Sequence, residues 1–137
     1  MNFRLLPEWA EQDAVMLTWP HKNTDWADNL ARVEPVYIEL AKHITAQQAL
    51  VIVAHDEVLK THISSLLNDA GIEQTRVYFV VTPTNDTWAR DHGPLTCSAI
   101  EKPDQLKVFD FTFNGWGNKF ESALDNQINH TLVKQLS

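Results

Sequence analysis

The sequence is poor in several features that define whole classes of protein. It has a single cysteine, Cys97, in 137 residues, which excludes an intramolecular disulfide framework. Its apolar runs are far shorter than the roughly 18 residues that a membrane-spanning helix needs. The first residues also lack the apolar core of a secretory signal peptide. These absences predict a cytoplasmic protein without a membrane function.

Basic residues are also scarce. Eleven lysines and arginines stand against 18 aspartates and glutamates, which gives a formal net charge of -7. Because nucleic-acid affinity comes from basic side chains that neutralise phosphates, general nucleic-acid binding is disfavoured. A small cationic partner such as an amine or a guanidine suits this charge better. With 44% hydrophobic residues, the chain has the composition of one folded globular domain.

The apolar residues alternate between strand-like runs and helical spacing. Strands are predicted at residues 14–19, 50–54, 76–81, 95–100 and 106–111, and helices at 30–44, 58–67 and 124–136. Pro35 lies either in the first turns of its helix or at the helix start. Gly71 is expected to end the second helix in a left-handed conformation. This order predicts an α/β fold in which strands joined through helices pair in parallel.

The residues with the clearest chemical potential lie in one segment, residues 85–94, with the sequence N-D-T-W-A-R-D-H-G-P. The carboxylate of Asp91 can accept two parallel N–H bonds from a guanidinium, and the face of Trp88 can cover such a cation. In a turn these two side chains converge, whereas in a strand they point to opposite faces, and both geometries stay open. The structural alternatives are an ion pair between Asp91 and Arg90, a turn cap for Asp91, and a core position for Trp88.

The 85–94 segment resembles the hallmark segment of the agmatine deiminase and bacterial-type peptidylarginine deiminase family. Similar stretches occur in the family's order from about residue 6 to about residue 119, and they lie at residues 6–15, 17–20 (L-T-W-P) and 113–117 (F-N-G-W-G). The family has the pentein fold, an α/β propeller of five blades. The resemblance therefore implies an N-terminal portion of one pentein catalytic domain, residues 1–137, with its first one or two ββαβ-type modules. The chain would then be cut at Ser137.

The resemblance also implies a chemistry that needs no cofactor. A cysteine thiolate attacks the guanidine carbon, ammonia leaves, and water then releases a ureido product from the thiouronium intermediate. Agmatine, favoured over peptidyl arginine by the whole motif, would become N-carbamoylputrescine. Asp91 would be one of the carboxylates that hold the guanidinium, and Trp88 the wall beside it. The nucleophile, the histidine and a second carboxylate belong to later modules, so this chain alone is expected to be inactive.

Two further residues are weaker candidates for substrate binding. Asp86 either contacts the substrate or caps its own turn. Trp116, between Gly115 and Gly117, either borders the site or packs on the propeller, and the glycines match no phosphate-binding pattern. Cys97 has an apolar strand context without a basic sequence neighbour, which predicts a core residue.

The six histidines lack metal-ligand spacing, so no metal is expected. His21 forms a polar-aromatic cluster with Trp19, Asp25 and Trp26, which lines either a pocket mouth or a solvated turn. A hypothesis from another class is an inert module that binds a small cation through Asp91 and Trp88, or an assembly domain. Self-association is then expected, because large apolar patches seldom stay solvated.

Overall fold

The computed structural model describes residues 2–136, which form two sheets flanked by helices. The elements follow in the order β1 (Phe3–Leu5), β2 (Ala14–Thr18), α1 (Leu30–Thr45), β3 (Ala49–Ala54), α2 (Glu57–Asp69), β4 (Val77–Val81), α3 (Ala89–His92), β5 (Leu95–Ala99), β6 (Leu106–Phe109), α4 (Gly115–Asn118) and α5 (Ile128–Leu136). A 3₁₀ turn at Asp125–Gln127 leads into α5. Among residues 2–136, no helix is long and apolar enough to cross a bilayer.

The two sheets differ in strand direction. The first has the order β2-β3-β4 and is parallel throughout, with Leu17 opposite Ile52 and Ile52 opposite Phe79. The second has the order β1-β5-β6 and is antiparallel. Helices α1 and α2 connect the parallel strands, as expected because a parallel pair needs a crossover connection. The predicted α/β class and its parallel pairing are confirmed.

The core lies on both sides of β3, whose six residues are almost entirely buried. On one side, alternate β3 residues pack in a cluster that includes Trp19, Ile63 and Leu67. On the other side, the remaining β3 residues meet Val80 and Ile128. A strand that is covered on both faces carries a continuous apolar run, which is why residues 50–54 were recognisable in the sequence.

Helix α1 begins at Leu30, and Pro35 lies inside it. Pro35 has no N–H group to donate to the carbonyl of Ala31 four residues earlier, and both residues are exposed. The predicted apolar stripe of α1 is only partly buried, since Val36 and Leu40 are 55% and 43% exposed. Because α1 begins at Leu30, Pro35 is not the first residue of the helix.

Helix α2 has well-defined ends. Asp56 caps its first turn by accepting the Leu59 N–H at 2.7 Å. Gly71 follows the helix with φ +71°, the left-handed conformation that the sequence predicted. Val58, at the start of the predicted helix 58–67, does not contribute to the buried face of α2, because it is 79% exposed.

Candidate substrate-binding site

The loops after β2 and β4 meet at one edge of the parallel sheet, because parallel strands end on the same side. The Asp25 N–H donates to Asp86 Oδ2 at 2.8 Å. The Trp26 indole N–H donates to Thr87 Oγ1 at 3.1 Å. These bonds join the loop after β2 to the start of the 85–94 segment, and together they form the platform that carries the candidate site.

Trp88 and Asp91 lie on a single helical turn. Trp88 precedes α3, and its carbonyl accepts the N–H groups of Asp91 at 2.9 Å and His92 at 3.1 Å. The segment is therefore a turn and not a strand, so the strand alternation that would send the two side chains to opposite faces does not apply. Asp91 is exposed, and within residues 2–136 its carboxylate has no hydrogen bond or ion pair. Both carboxylate oxygens are therefore free to accept.

Arg90 does not pair with Asp91. Its guanidinium lies 3.7 Å from Glu8 Oε1, and both side chains are more than 90% exposed. An exposed ion pair of this kind contributes about 1 kcal/mol at most. Arg90 therefore pairs with Glu8, and the ion pair between Arg90 and Asp91 that the sequence left open is not formed.

An aromatic cluster holds Trp88 in place. Its ring meets those of Trp116, Phe120 and Phe113 edge-to-face, at centroid distances of 4.5, 5.2 and 5.9 Å. Each such contact adds about 1 kcal/mol beyond the burial of apolar area. Trp88 remains only half-buried, and Trp116 is 49% exposed. The structure thus brings Trp116 directly to Trp88 and leaves part of both rings accessible.

The turn at α4 presents Trp116 through an unusual backbone. Gly115, Trp116, Gly117 and Asn118 all have positive φ, between 53° and 80°. The Asn114 side chain stabilises this turn by accepting the Gly117 N–H at 3.0 Å. The two glycines adopt the left-handed region without a steric cost, which permits this tight backbone turn.

Asp86 is engaged by the protein through both carboxylate oxygens. It is 3% exposed. Its Oδ2 accepts the Asp25 N–H, and its Oδ1 accepts the Thr87 N–H at 2.7 Å and the Thr87 hydroxyl at 3.2 Å. This is the turn-capping geometry that the sequence left open as the alternative to substrate contact.

Asp125 is part of the site's support and was missed in the sequence. It is fully buried, and its Oδ1 accepts the N–H groups of Asn85 at 2.6 Å and Asp86 at 3.4 Å. Asn85 reciprocates, because its side-chain oxygen accepts the N–H groups of Leu124 at 2.8 Å and Asp125 at 3.2 Å. An aspartate before a helix usually caps that same helix, so no local pattern pointed to this distant partner.

Burial raises the pKa of Asp125 to about 6, and the nearby Asp86 carboxylate adds to this effect. Hydrogen bonds from the backbone N–H groups of Asn85 and Asp86 act in the opposite direction. Folding therefore favours the protonated carboxyl group. The folded protein loses stability as the pH rises from the ordinary value of 3.8 to about 6, because only the unfolded chain ionises freely there.

We expect Asp125→Asn to remove this pH dependence. The asparagine keeps an acceptor oxygen for the Asn85 N–H but cannot ionise. Relative to wild type, its free energy of unfolding should rise by roughly 2 kcal/mol between pH 4 and pH 7, since one pKa unit corresponds to about 1.4 kcal/mol. Urea unfolding across this range measures the difference. A difference that does not change with pH would contradict the raised pKa.

His92 fastens α3 to the parallel sheet. The buried ring lies with Nε2 3.2 Å from the Thr18 hydroxyl, and the His92 carbonyl accepts the Asn129 side-chain N–H at 2.8 Å. Burial lowers the pKa of His92 to about 4, although the Asp91 carboxylate acts in the opposite direction. The imidazole is therefore neutral near pH 7, and its contacts hold α3 against the sheet.

The cluster predicted around His21 separates into two environments. Trp19 is fully buried in the core, and its indole N–H donates to Glu34 Oε1 at 3.2 Å. His21 is also buried, with Nε2 3.0 Å from the Thr84 hydroxyl and its ring 4.1 Å from that of His55. Desolvation lowers the pKa of His21, and the neighbouring His55 adds to the effect. The solvated-turn interpretation of His21 is wrong because the side chain is 6% exposed.

Cys97 lies in β5, which directly follows the 85–94 segment and belongs to the other sheet from β4. It is half-buried and stands opposite Lys107 of β6, a basic neighbour that only strand pairing reveals. Within the part of the chain that the structure describes, no group of three histidine, cysteine or acidic side chains converges to hold a metal ion.

Solved structures with this fold carry the same architecture. Agmatine deiminase from C. jejuni, in a substrate-bound cysteine-to-serine variant, is 36% identical with a TM-score of 0.81, covering 98% of this chain and 37% of that one. Agmatine deiminase of Enterococcus faecalis superposes with a TM-score of 0.77 at 22% identity, covering 96% and 35%, and supports the fold alone. The chain is thus a partial pentein, as predicted.

Sequence comparison identifies the family. The family model of the Porphyromonas-type peptidyl-arginine deiminase matches residues 4–137, so the chain belongs to that family. Agmatine deiminase from Stutzerimonas stutzeri is 30% identical over 112 residues, covering 82% of this chain and 28% of that protein. The chain spans about a third of the length of these relatives. The family membership predicted from the 85–94 segment is confirmed.

Proposed function

We propose that the complete protein hydrolyses agmatine to N-carbamoylputrescine and ammonia, and that this chain supplies half of the guanidinium site. The observation that carries the proposal is the turn in which Trp88 precedes, by three residues, an Asp91 carboxylate that is unpaired within residues 2–136. A guanidinium is planar, and it presents parallel N–H groups at its edge and a cationic face. A carboxylate for the edge and an indole for the face satisfy both requirements.

The proposed reaction proceeds in two steps. A cysteine thiolate attacks the guanidinium carbon, and ammonia leaves after proton transfer from a general acid. Water then attacks the thiouronium carbon and restores the thiolate, with the same group acting as general base. No residue of this chain is assigned to these proton or covalent transfers. Asp91 and Trp88 hold and orient the cation while other parts of the complete protein react with it.

The names of the relatives support agmatine as the substrate. The Stutzerimonas stutzeri relative is named agmatine deiminase, and so is the C. jejuni protein whose structure carries its substrate. The family description names peptidyl arginine, which makes a peptide substrate the natural comparison. A peptide would have to reach the same turn, since Asp91 and Trp88 recognise only the guanidine group that both substrates share.

Ammonia release tests the proposal. The complete protein and the 137-residue chain are each incubated with agmatine and with a peptide that contains arginine. We expect release only from the complete protein and faster with agmatine. Activity of the 137-residue chain would show that a nucleophile in it has been overlooked, and preference for the peptide would reassign the substrate. Inactivity of the complete protein on both would favour a module that only binds cations or assembles.

Trp88→Ala should weaken agmatine binding by about 1 to 2 kcal/mol, or roughly tenfold in Kd, if the indole covers a desolvated guanidinium. Isothermal titration with the complete protein measures the change. Trp9→Ala is the matched control, because Trp9 is 88% exposed and lies outside the aromatic cluster around Trp88. Unaltered affinity in Trp88→Ala would assign Trp88 to packing alone.

A further inference from the structure

Three short polar side chains at the start of α5 all reach back toward the candidate site. We call them the α5 anchor, and they are Asp125, Asn126 and Asn129. Asp125 is fully buried and Asn129 is 5% exposed. Buried polar groups are costly unless they are hydrogen-bonded, so their partners indicate what this part of the helix holds in place.

Asp125 is hydrogen-bonded to the beginning of the 85–94 segment. Its carboxylate accepts the N–H groups of Asn85 and Asp86, and the Asn85 side chain accepts two N–H groups in return. The Asn85 N–H bond at 2.6 Å is a charge-assisted hydrogen bond when Asp125 is ionised. Four hydrogen bonds thus join positions about 40 residues apart in the sequence.

Asn129 is hydrogen-bonded near the other end of the same segment. Its side-chain N–H group donates to the carbonyl oxygen of His92 at 2.8 Å. The same amide nitrogen lies within hydrogen-bond distance of Asp110 Oδ1, at 2.6 Å, which holds the asparagine in place. Because His92 ends α3, this bond restrains the helical turn immediately after Asp91.

Asn126 supports the aromatic cluster. Its side-chain oxygen accepts the Phe113 N–H, and its amide group donates to the Phe113 carbonyl, both at 2.8 Å. Phe113 packs edge-to-face on Trp88 and Trp116. The α5 anchor therefore restrains the 85–94 segment at both ends and also restrains a ring that contacts Trp88.

We propose that the α5 anchor is a positioning device that sets the orientation of Trp88 and Asp91 toward a bound guanidinium. The inference rests on the proposed function. Asp91 has no partner of its own within residues 2–136, so its direction depends on the backbone that carries it. Bidentate binding requires placement within about 0.5 Å, and an error of about 1 Å can cost roughly 100-fold in rate.

Two substitutions test the contacts of the α5 anchor with the two ends of the 85–94 segment, and two further variants serve as controls. Asp125→Ala leaves the Asn85 and Asp86 N–H groups without an acceptor, and Asn129→Ala frees the His92 carbonyl. Asp125→Asn is the conservative variant, since it keeps an acceptor oxygen. Gln127→Ala is the control, because Gln127 is exposed in the same turn and its side chain has no hydrogen bond among the described residues.

The first measurement is amide hydrogen exchange in the complete protein without substrate. In Asp125→Ala we expect exchange at Asn85 and Asp86 to rise by about tenfold or more, while amides of β3 change by less than about twofold. Asn129→Ala should raise exchange in α3. Gln127→Ala should change neither region. Unchanged exchange in the 85–94 segment of both alanine variants would overturn the proposal.

The second measurement is the KM for agmatine, which does not depend on how much of the enzyme is folded. A positioning role predicts that Asp125→Ala and Asn129→Ala raise KM by about tenfold and that Asp125→Asn restores it to within about threefold. Increased exchange with an unchanged KM would make the α5 anchor a folding element and overturn its positioning role. An inactive wild-type protein would instead count against the deiminase function, and the exchange ratios would still decide whether the anchor holds the segment.

Discussion

Asp91→Asn in the complete protein should lower kcat/KM for agmatine by roughly 100-fold. The carboxylate is charged and can accept two parallel N–H bonds, whereas an asparagine is neutral and offers one acceptor oxygen. A lost charge-assisted bond to a desolvated cation costs about 3 kcal/mol, which corresponds to this factor in rate. The substitution is nearly isosteric, and within residues 2–136 the Asp91 side chain holds nothing else in place. Folding should therefore be unaffected.

Arg90→Ala is the matched control for this prediction. Arg90 adjoins Asp91 on the same turn, is 93% exposed, and pairs only weakly with Glu8. Its removal should change kcat/KM by less than about twofold. Steady-state ammonia release and a thermal unfolding curve for each variant complete the comparison. Near-normal turnover of Asp91→Asn would contradict the proposal that the Asp91 carboxylate binds the guanidinium of the substrate.

The parts of the fold that could be predicted from the sequence are those in which a local pattern and burial agree. Residues 50–54 are apolar throughout because β3 is covered on both faces. Gly71 marks a helix end because the left-handed conformation is open to glycine without strain. In these places the three-dimensional environment determines the residue types at neighbouring positions in the chain, so a local sequence pattern reveals it.

Among the elements that escaped prediction, β1 and α3 did so because long-range contacts define them. Strand β1 has only three residues, too few for a pattern, and it exists through its pairing with β5 almost a hundred residues later. Helix α3 lies inside the 85–94 segment, for which the sequence left a turn and a strand open, and its four residues are held by His92 packing on β2 and by Asn129. Short helices depend on tertiary contacts, since four residues are too few to be stable alone.

The same distinction applies to the candidate site. Trp88 and Asp91 were found because their side-chain chemistry fits a guanidinium and because they occur in a recognisable segment. Asp125 and Asn129 were missed because aspartate and asparagine near a helix start usually have a local capping role. Only the fold shows that these side chains support a segment about 40 residues earlier in the chain.

Gly115→Ala should destabilise the protein by about 3 kcal/mol or more. Gly115 has φ +58°, and a Cβ at this position would overlap the carbonyl oxygen of Phe120, which is backbone and cannot rotate away. The Gly115 carbonyl also accepts the N–H groups of Lys119 and Phe120. Overpacking and backbone strain each cost about 1 to 3 kcal/mol, and here both act on one turn. The turn carries Trp116 and Phe120, so the aromatic cluster around Trp88 should loosen as well.

Gly117→Ala separates the steric effect from the conformational one. Gly117 has φ +80°, but no heavy atom lies within 4 Å of the position that an added methyl group would occupy, so only the left-handed backbone is penalised. We expect a loss of about 1 kcal/mol for this variant. Urea unfolding followed by circular dichroism gives both free energies, and tryptophan fluorescence reports on the cluster. If the two variants lose equal stability, the close approach of Gly115 to the Phe120 carbonyl does not determine the stability of the turn. The placement of Trp116 beside Trp88 must then depend on the packing of the aromatic rings themselves.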